Sequence, residues 1–324
     1  MSIIIRKDYI LDRYVYYAVS RKKRPNDFKK KSAKKTSLKS PKKSCFFCAG
    51  NESLTPPEIG RIEYKGGWKM RWFLNKFPAV EKKGSPKIRA KKFLCESDGY
   101  GVHEVIVETN HHKSQLWDIP AEYIKEWLEV IKFRMEKLSG IKGIKYVSIF
   151  KNHGADAGTS LEHSHTQIMA LPNVPSLITE EVNASQEYGK KTKRCAYCDI
   201  IKSEAKSKRK ISETKTFISI APFASRFNFE AWIFPKRHVK NLSWLSQQEN
   251  TELAETIKKL LSKLKTIDIS YNLYFHYSPE GKDLHFHIEI APRMAKWGGF
   301  ELSTNSVINS ILPEDAAKFY SRKI

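Results

Sequence analysis

Two pairs of closely spaced cysteines and two His-x-His triplets are the parts of this 324-residue chain whose residue types and spacing could do chemistry. The first CxxC pair is Cys45 and Cys48, the second is Cys195 and Cys198, and Cys95 stands alone. A CxxC turn supplies two thiolates, and more distant imidazoles can complete a tetrahedral zinc shell. Five cysteines in this arrangement do not suit the disulfide framework of a secreted protein. The pairs therefore indicate metal binding.

Each CxxC pair is followed by an isolated histidine and then by a His-x-His triplet. We predict two zinc sites, formed by Cys45, Cys48, His112 and His163 and by Cys195, Cys198, His238 and His285. By spacing alone His111 and His287 are rival ligands, and the second site could hold another divalent metal. A thioredoxin-like redox pair is the alternative, but two pairs with histidines downstream favour metal over redox chemistry. We expect His103, His153 and His276 to be ordinary core or surface residues.

The first triplet opens a segment that alternates as a strand does, so His163, His165 and Gln167 should share one face. His163 would anchor the strand to the metal and leave His165 free to attack a phosphorus atom. A neutral imidazole is nucleophilic near pH 7 and is also a good leaving group. Gln167 could then donate a hydrogen bond to a phosphoryl oxygen. The preceding loop, residues 152–160, is rich in small residues and predicts a phosphate cradle.

The elements that must position these residues occur twice. Helical spacing of apolar residues predicts helices over residues 120–138 and 246–267, the second opening with a capping box. Strands are predicted at 144–150 and 163–170 in the first half and at 271–277 and 284–290 in the second. His112 and His163 are 51 residues apart, and His238 and His285 are 47 apart, so the halves repeat. We predict an α+β fold of two associated antiparallel sheets, with domains at residues 1–180 and 181–324 that join in the polar stretch 179–194.

Composition narrows the class of protein. A 40% hydrophobic content supports one large or two ordinary domains, and no run approaches the roughly 18 apolar residues of a membrane span. We expect a cytoplasmic protein with no membrane partner. The net charge of +23 is concentrated in residues 21–43, which hold twelve Lys or Arg, and in residues 202–215. Such runs usually form solvated faces, and Phe28 is the only aromatic residue of the first run, so we do not expect a nucleic-acid partner.

Taken together, these residues resemble the galactose-1-phosphate uridylyltransferase family, tandem histidine-triad-like nucleotidyltransferases whose near relatives include ADP-sugar and dinucleoside-polyphosphate phosphorylases. The resemblance covers nearly the whole chain. It is carried by residues 45–48, 24–25, 75–78, 152–167, 229–235, 285–287 and 298–301.

The resemblance implies two tandem histidine-triad-like domains and ping-pong transfer in galactose metabolism. UDP-glucose would pass UMP to His165 and release glucose 1-phosphate, and galactose 1-phosphate would take the UMP to give UDP-galactose. It also implies a homodimer and further contacts: Asn75, Asn152, Gly158 and Ser160, with Gln167, to the nucleotide phosphate, and Lys296, Phe300 and Glu301 to the sugar phosphate.

We therefore predict a hexose-1-phosphate uridylyltransferase, and two departures from that pattern resemble the branch of the alternative, an adenylyl-transferring phosphorylase that would cleave an ADP-sugar or dinucleoside polyphosphate with phosphate. Ser164 stands where uridylyltransferases commonly have proline, and the second CxxC pair replaces a site that some of them build from a glutamate and histidines. A third hypothesis, a non-catalytic zinc-stabilised protein that binds nucleic acid, gains little because both His165 and Gln167 are present.

Overall fold

The elements of the chain follow from a computed structural model that describes residues 3–20 and 45–322; the basic run at 21–43 and the Arg24-Pro25 pair lie outside these residues. The strands, in chain order, are β1 Ile4–Lys7, β2 Tyr14–Tyr17, β3 Glu58–Tyr64, β4 Gly67–Leu74, β5 Arg89–Lys91, β6 Leu94–Glu96, β7 Val102–Val107, β8 Tyr146–His153, β9 His165–Leu171, β10 Lys210–Glu213, β11 Phe217–Ile220, β12 Ala231–Pro235, β13 Tyr271–His276, β14 His287–Pro292 and β15 Val307–Asn309. The helices are α1 Ala121–Ser139, α2 Ser176–Thr192, α3 Ala196–Glu204, α4 Gln247–Lys265, α5 Gly299–Thr304 and α6 Pro313–Ser321.

The internal repeat becomes one continuous antiparallel sheet. In the described part of the chain its order is β10-β11-β12-β14-β13-β8-β9-β7-β4-β3. Each half contributes five strands in equivalent order, and the halves meet where β8 pairs antiparallel with β13. The predicted α+β class with antiparallel sheets is confirmed, and the two expected sheets are fused edge to edge. Outside this sheet, β2 pairs with β1 and β15, and β5 and β6 form a hairpin.

The two long helices form where the apolar periodicity predicted them. Helix α1 buries Ile124, Trp127, Leu128, Ile131 and Met135, among others, and α4 buries Leu253, Ile257, Leu260, Leu261 and Leu264. These side chains join one hydrophobic core with the central strands. The capping box at the start of α4 is present in both directions, which satisfies backbone N–H groups that the first turn leaves without helical partners. Both helices pack on the sheet and so hold the strands that carry the histidines.

The structure adds detail to the predicted domain join and to the predicted limits of the His-x-His strands. The polar stretch 179–194 is mostly helix α2, because Ile178, Val182 and Ser185 recur at helical spacing and are buried. The predicted domain division at residue 180 therefore falls inside a helix. The His-x-His strands also begin two residues and three residues later than predicted, at His165 and His287. His163 and His285 precede the strands, where they turn towards the cysteines.

No helix among the described residues combines the length and the apolar character that crossing a bilayer would require.

A tyrosine hydroxyl completes the joint between the two halves. β8 pairs with β13 only from Phe150 to His153. Beyond that point the Tyr277 hydroxyl donates to the Val147 carbonyl at 2.8 Å and accepts from the Val147 N–H at 3.0 Å. Tyr277 also stacks on Tyr146 with ring centroids 4.6 Å apart.

Replacing Tyr277 by Phe should lower the free energy of unfolding by about 1–3 kcal/mol, because two buried backbone groups lose their partner while the ring is retained. Chemical denaturation followed by tryptophan fluorescence measures the effect. Tyr14→Phe, at a ring that is 39% exposed, is the matched control and should change the value by less than about 0.5 kcal/mol. Equal effects of the two substitutions would contradict the bridging role.

Candidate active site and metal centres

The first predicted metal-ligand set converges in the structure. One donor atom from each of Cys45, Cys48, His112 and His163 lies within 4.8 Å of all the others. Both sulfurs are 3.6 Å from His163 Nδ1, and Cys48 Sγ is 3.2 Å from His112 Nδ1. Bonds of about 2.3 Å to sulfur and 2.0 Å to nitrogen in a tetrahedron imply a sulfur–nitrogen separation of about 3.5 Å. The four residues therefore fit a tetrahedral metal ion, and His111 lies outside the set.

His163 is oriented for this role by its other ring nitrogen. Its Nε2–H donates to the Thr109 carbonyl at 2.7 Å, so Nδ1 carries the lone pair that faces the two sulfurs. Burial lowers the pKa of His163 to about 4. The imidazole is consequently neutral at physiological pH, as a metal ligand must be.

The second predicted set repeats the pattern. Cys195, Cys198, His238 and His285 bring their donor atoms within 4.8 Å of one another. Cys198 Sγ lies 3.5 Å from His285 Nδ1 and 3.8 Å from His238 Nδ1. The outer nitrogens again have acceptors, since His285 Nε2 donates to the Pro235 carbonyl at 2.9 Å and His238 Nε2 lies 2.8 Å from an Asp283 oxygen. This set is more exposed than the first, and it can also hold a metal ion.

His165 lies at the start of β9 with one ring nitrogen committed. Its Nδ1 is 2.8 Å from the His163 carbonyl, which accepts the Nδ1–H, so the lone pair is on Nε2. Burial lowers the pKa of His165, and the Lys151 ammonium lowers it further. The residue is 6% exposed and packs edge-on against the Phe47 ring at 5.3 Å. A neutral, immobilised imidazole with a defined free nitrogen is suited to attack at phosphorus.

A buried ion pair beneath the strand is a feature that the sequence patterns did not predict. Lys151 Nζ lies 2.9 Å from Glu108 Oε2, and both side chains are almost fully buried. The same ammonium contacts the Ser164 hydroxyl at 2.9 Å and the His165 carbonyl at 3.3 Å. Ser164 and Thr166 both donate to the Glu108 carboxylate. Ser164 is thus part of the support of the strand, which gives the serine of the triplet a structural reason.

Gln167 lies beside two residues from neighbouring segments. Gln167 Oε1 is 3.0 Å from His103 Nε2, and Asn75 Nδ2 is 3.2 Å from the same nitrogen. The structure therefore brings Asn75, expected to contact the nucleotide, next to Gln167. His103 was expected to be an ordinary core or surface histidine. It is buried, and its direct contact with Gln167 could have been noticed only from the pairing of β7 with β9.

The small-residue loop before β9 is held in place from the second half of the chain. Gly154 and Gly158 have φ values of 81° and 82°, which favour glycine. Asn272 Nδ2 on β13 donates to Asn152 Oδ1 at 2.8 Å and to the Ala157 carbonyl at 2.9 Å. A Cβ atom on Gly154 would meet the Ser270 hydroxyl at 2.2 Å. The loop that carries Asn152, Gly158 and Ser160 therefore depends on contacts across the joint of the sheet.

The three residues expected at the sugar phosphate lie in or before α5. Phe300 contacts the Tyr16 ring at 5.6 Å. Glu301 accepts hydrogen bonds from the N–H groups of Gly298 and Ile308. These contacts join α5 to the small β1-β2-β15 sheet and not to His165, so the roles of Lys296, Phe300 and Glu301 remain predictions.

Residues of the second basic patch are partly neutralised by carboxylates. Arg209 pairs with Glu204 at 2.7 Å and with Glu314 at 3.1 Å. Lys210 pairs with Glu213 at 3.1 Å. Arg209 is mostly buried and Glu204 almost fully buried, so this pair is part of the folded core, whereas Lys210 and Glu213 lie at the surface.

A third group of titratable residues, Glu181, His276, His287 and Glu289, also brings four donor atoms within 4.8 Å. His287, one of the rival ligands, belongs to this group and not to the second Cys/His set. His276 Nδ1 is 3.0 Å from a Glu181 oxygen and 3.7 Å from a Glu289 oxygen. Burial alone would lower the pKa of His276, but the two carboxylates outweigh it and raise the pKa to about 9. His276 is therefore held as a cation between two buried anions.

The contacts of His276 with the two carboxylates make the free energy of unfolding depend on pH. Below the unfolded-state pKa of about 6.5 both states bind the proton, so the stabilisation by His276 is complete; it is lost as pH rises towards 9, because the unfolded chain releases the proton first. We expect the difference in unfolding free energy between the wild type and His276→Gln to shrink by up to about 3 kcal/mol between pH 6.5 and 9.5. Urea denaturation of both proteins across this range measures it, and a difference independent of pH would contradict the ion pair.

Comparison with known proteins agrees with the fold. Residues 4–175 match the family described as galactose-1-phosphate uridyl transferase, N-terminal domain, and residues 181–297 match the corresponding C-terminal domain. An ADP-glucose phosphorylase of Arabidopsis thaliana is 35% identical over 97% of this chain and 91% of its own length. A galactose-1-phosphate uridylyltransferase of Thermotoga maritima is 29% identical over 97% of this chain and 96% of its own length.

Solved structures of the same two kinds of protein share the fold of this chain. The crystal structure of an ADP-glucose phosphorylase from Arabidopsis thaliana with bound ADP-glucose has a TM-score of 0.85 and 32% identity, with both chains fully covered. A structure of uridylyltransferase has a TM-score of 0.75 and 28% identity over 98% of this chain and 97% of that chain. The two family matches together span most of the residues that carry the sites described above. The chain therefore belongs to the galactose-1-phosphate uridylyltransferase family and is a nucleotidyltransferase.

Proposed function

We propose that the protein transfers a nucleoside monophosphate from a nucleoside diphosphate sugar to a second phosphate through a covalent bond to His165. The observation that carries the proposal is the hydrogen bond from His165 Nδ1–H to the His163 carbonyl, which leaves Nε2 as the free nitrogen of a neutral ring. The lowered pKa of His165 keeps that nitrogen unprotonated near pH 7.

The reaction has two balanced displacement steps. In the first, the Nε2 lone pair forms a bond to the α-phosphorus, the bond from this phosphorus to the bridging oxygen breaks, and the sugar 1-phosphate leaves with the electron pair. In the second, an oxygen of the incoming phosphate attacks the same phosphorus and the bond to His165 breaks. Because the ring ends each cycle neutral, the Nδ1 proton need not leave the His163 carbonyl.

The surrounding polar groups suit a phosphate that gains charge in the transition state. Gln167 and Asn75 offer amide donors next to each other on the side of β7, and the loop of Asn152, Gly158 and Ser160 connects β8, the neighbour of β9 on the opposite side, to β9. Preorganised donors of this kind lower the barrier most where water is excluded. We assign Lys296, Phe300 and Glu301 to the sugar phosphate by resemblance.

Zinc is the metal that the two Cys/His sets fit best, since both offer two thiolates and two imidazoles at tetrahedral separations. When bound, the metal would act structurally by fixing the side chains of His163 and His285, with no open coordination position for substrate. In the first site the consequence for chemistry is indirect: a fixed His163 also fixes the carbonyl that orients His165.

The donor that the features favour is an ADP-sugar, with inorganic phosphate as the acceptor and ADP as the product. Ser164 belongs to the buried network of Glu108 and Lys151, so the serine form of the triplet is built into the fold. The complete second Cys/His set is the other feature associated with this branch. The Arabidopsis ADP-glucose phosphorylase adds support, because its sequence identity to this chain and its TM-score are higher than those of the two uridylyltransferases named above.

Hexose-1-phosphate uridylyltransfer is the second candidate. It is favoured by the match of both halves to the uridyl transferase family and by the Thermotoga relative, which aligns over as much of the chain as the phosphorylase does. In that case UDP-glucose would be the donor and galactose 1-phosphate the acceptor. Both candidates use the same nucleophile.

Intact-protein mass spectrometry after brief incubation with ADP-glucose or UDP-glucose should separate the candidates. We expect an AMP adduct from ADP-glucose, which phosphate then discharges as ADP, and no adduct on His165→Ala. The reaction is quenched above neutral pH because a phosphoramidate is labile to acid. A UMP adduct alone would favour the uridylyltransferase, and no adduct with either donor would contradict covalent transfer through His165.

Elemental analysis should find about two zinc ions per chain, as expected for two closed sites of four ligands. Cys45→Ser should lose one zinc and nearly all adduct formation, because the strand that bears His165 loses its anchor. Cys195→Ser should lose the other zinc with a smaller effect on the adduct, since its strand carries no nucleophile. The exposed Cys95 supplies the control, and Cys95→Ser should change neither quantity. Full activity of a Cys45→Ser protein that lacks its first zinc would contradict the anchoring role.

A further inference from the structure

We infer that His103 is a positioning residue for nucleotidyl transfer: its Nε2–H holds the carboxamide oxygen of Gln167, so that the Gln167 NH₂ group faces the transferred phosphoryl group. The expected effect on nucleotidyl transfer rests on the proposed function. The contact between His103 and Gln167 does not depend on which donor the protein uses. Neither the family match nor the sequence patterns assign His103 a role.

The tautomer of His103 follows from a backbone contact. The N–H of Ala79 lies 3.2 Å from His103 Nδ1. A backbone amide can only donate, so Nδ1 must be the acceptor and the single proton of the neutral ring must be on Nε2. Burial lowers the pKa of His103, which keeps the ring neutral. The backbone of His103 is also fixed, because its carbonyl accepts the Asn75 N–H at 2.8 Å.

The protonated nitrogen decides which way the Gln167 amide points. His103 Nε2 lies 3.0 Å from Gln167 Oε1, and an N–H donor there requires the oxygen of the amide and excludes its NH₂ group. An unrestrained glutamine amide can rotate so that oxygen and nitrogen exchange places. In the reversed orientation the oxygen of Gln167 would face a phosphoryl oxygen and repel it. His103 therefore selects the orientation in which Gln167 is a donor.

Asn75 is oriented in the same direction by a separate contact. Its Oδ1 accepts the Phe77 N–H at 2.9 Å, so its NH₂ group is the part nearest His103. Asn75 Nδ2 is 3.2 Å from His103 Nε2. Since both nitrogens carry hydrogen in this tautomer, that contact is not a hydrogen bond, and the Asn75 NH₂ group keeps its donor capacity for another acceptor. The NH₂ groups of Asn75 and Gln167 thus form a pair of donors arranged around one imidazole.

The sheet explains why residue 103 reaches Gln167. In the β7–β9 pair, Val105 is directly opposite Gln167 and His103 is opposite Met169. His103 is therefore the diagonal neighbour of Gln167 on the same face of the sheet, a separation that long side chains can bridge. Val107 is opposite His165, so the nucleophile, the glutamine and His103 follow one face of two adjacent strands.

A double-mutant cycle tests this inference. We expect His103→Ala to slow formation of the nucleotidyl adduct by about 10- to 100-fold at saturating donor, a part of the effect of losing a transition-state donor, and to leave the donor concentration at half-saturation within about threefold. If His103 acts through Gln167, His103→Ala should have no further effect in a Gln167→Ala background. His103→Asn, which can still donate, should recover part of the rate. Val102→Ala is the matched control, because Val102 is on the same strand but on the opposite face of the sheet from Gln167, and its effect should be the same in both backgrounds.

Full additivity of His103→Ala and Gln167→Ala would overturn the inference, as would an equal loss of rate in His103→Ala and Val102→Ala. A second measurement does not depend on turnover. Nitrogen-15 NMR of the histidine rings in the zinc-loaded protein should show His103 neutral and protonated on Nε2 at pH 7, and its assignment to the Nδ1–H tautomer or to the charged ring would overturn the inference. If the wild type forms no adduct with either donor, the proposed function fails and the NMR result alone decides the geometry.

Discussion

The hydrogen bond between His165 Nδ1–H and the His163 carbonyl is the contact on which the rest of the site depends. It uses the backbone of one histidine to orient the ring of another two residues away. The carbonyl can do this only if residue 163 is fixed, and residue 163 is fixed from three directions by Cys45, Cys48 and the Thr109 carbonyl. The position of His163 among the metal-ligating residues therefore determines the orientation of the His165 ring at the start of the strand. A metal ion held by these ligands would therefore act on the proposed reaction only through the position of the His163 carbonyl.

The second half of the chain repeats this unit without its chemistry. His287 Nδ1 is 3.0 Å from the His285 carbonyl, and His285 faces Cys198, so the local geometry matches that of His165. The surroundings differ, however. His287 is fully buried, and its Nε2 lies 3.4 Å from a Glu289 oxygen. The side chain of His287 has no exposed surface, whereas His165 keeps 6% of its surface exposed. The duplicated half instead contributes β13, whose Asn272 and the preceding Ser270 support the loop before His165.

A buried ion pair supports the strand β9 in the first half of the chain. Glu108 and Lys151 are almost completely buried, and such a pair is tolerated only when hydrogen bonds satisfy both partners. Ser164, Thr166 and the His165 carbonyl supply those bonds. The pair thus contributes to the rigidity of the strand. Burial is the main cause of the lowered pKa of His165; the Lys151 ammonium lowers this pKa further, whereas the Glu108 carboxylate opposes it.

The sequence by itself determined the features that depend on local spacing. CxxC turns paired the cysteines of each set, a period of two placed His165 and Gln167 on one face, and apolar periodicity located α1 and α4, because turn and helix geometry act over a few residues. The structure brought His112 and His285, and not their rivals His111 and His287, to the cysteines. Tertiary structure decided what depends on distant segments meeting. It fused two sheets through β8 and β13, paired Glu108 with Lys151 across 43 residues, and placed His103 against Gln167 across 64. It also converted the polar stretch 179–194 into α2, since the burial that makes a polar segment helical depends on the surface that packs against it.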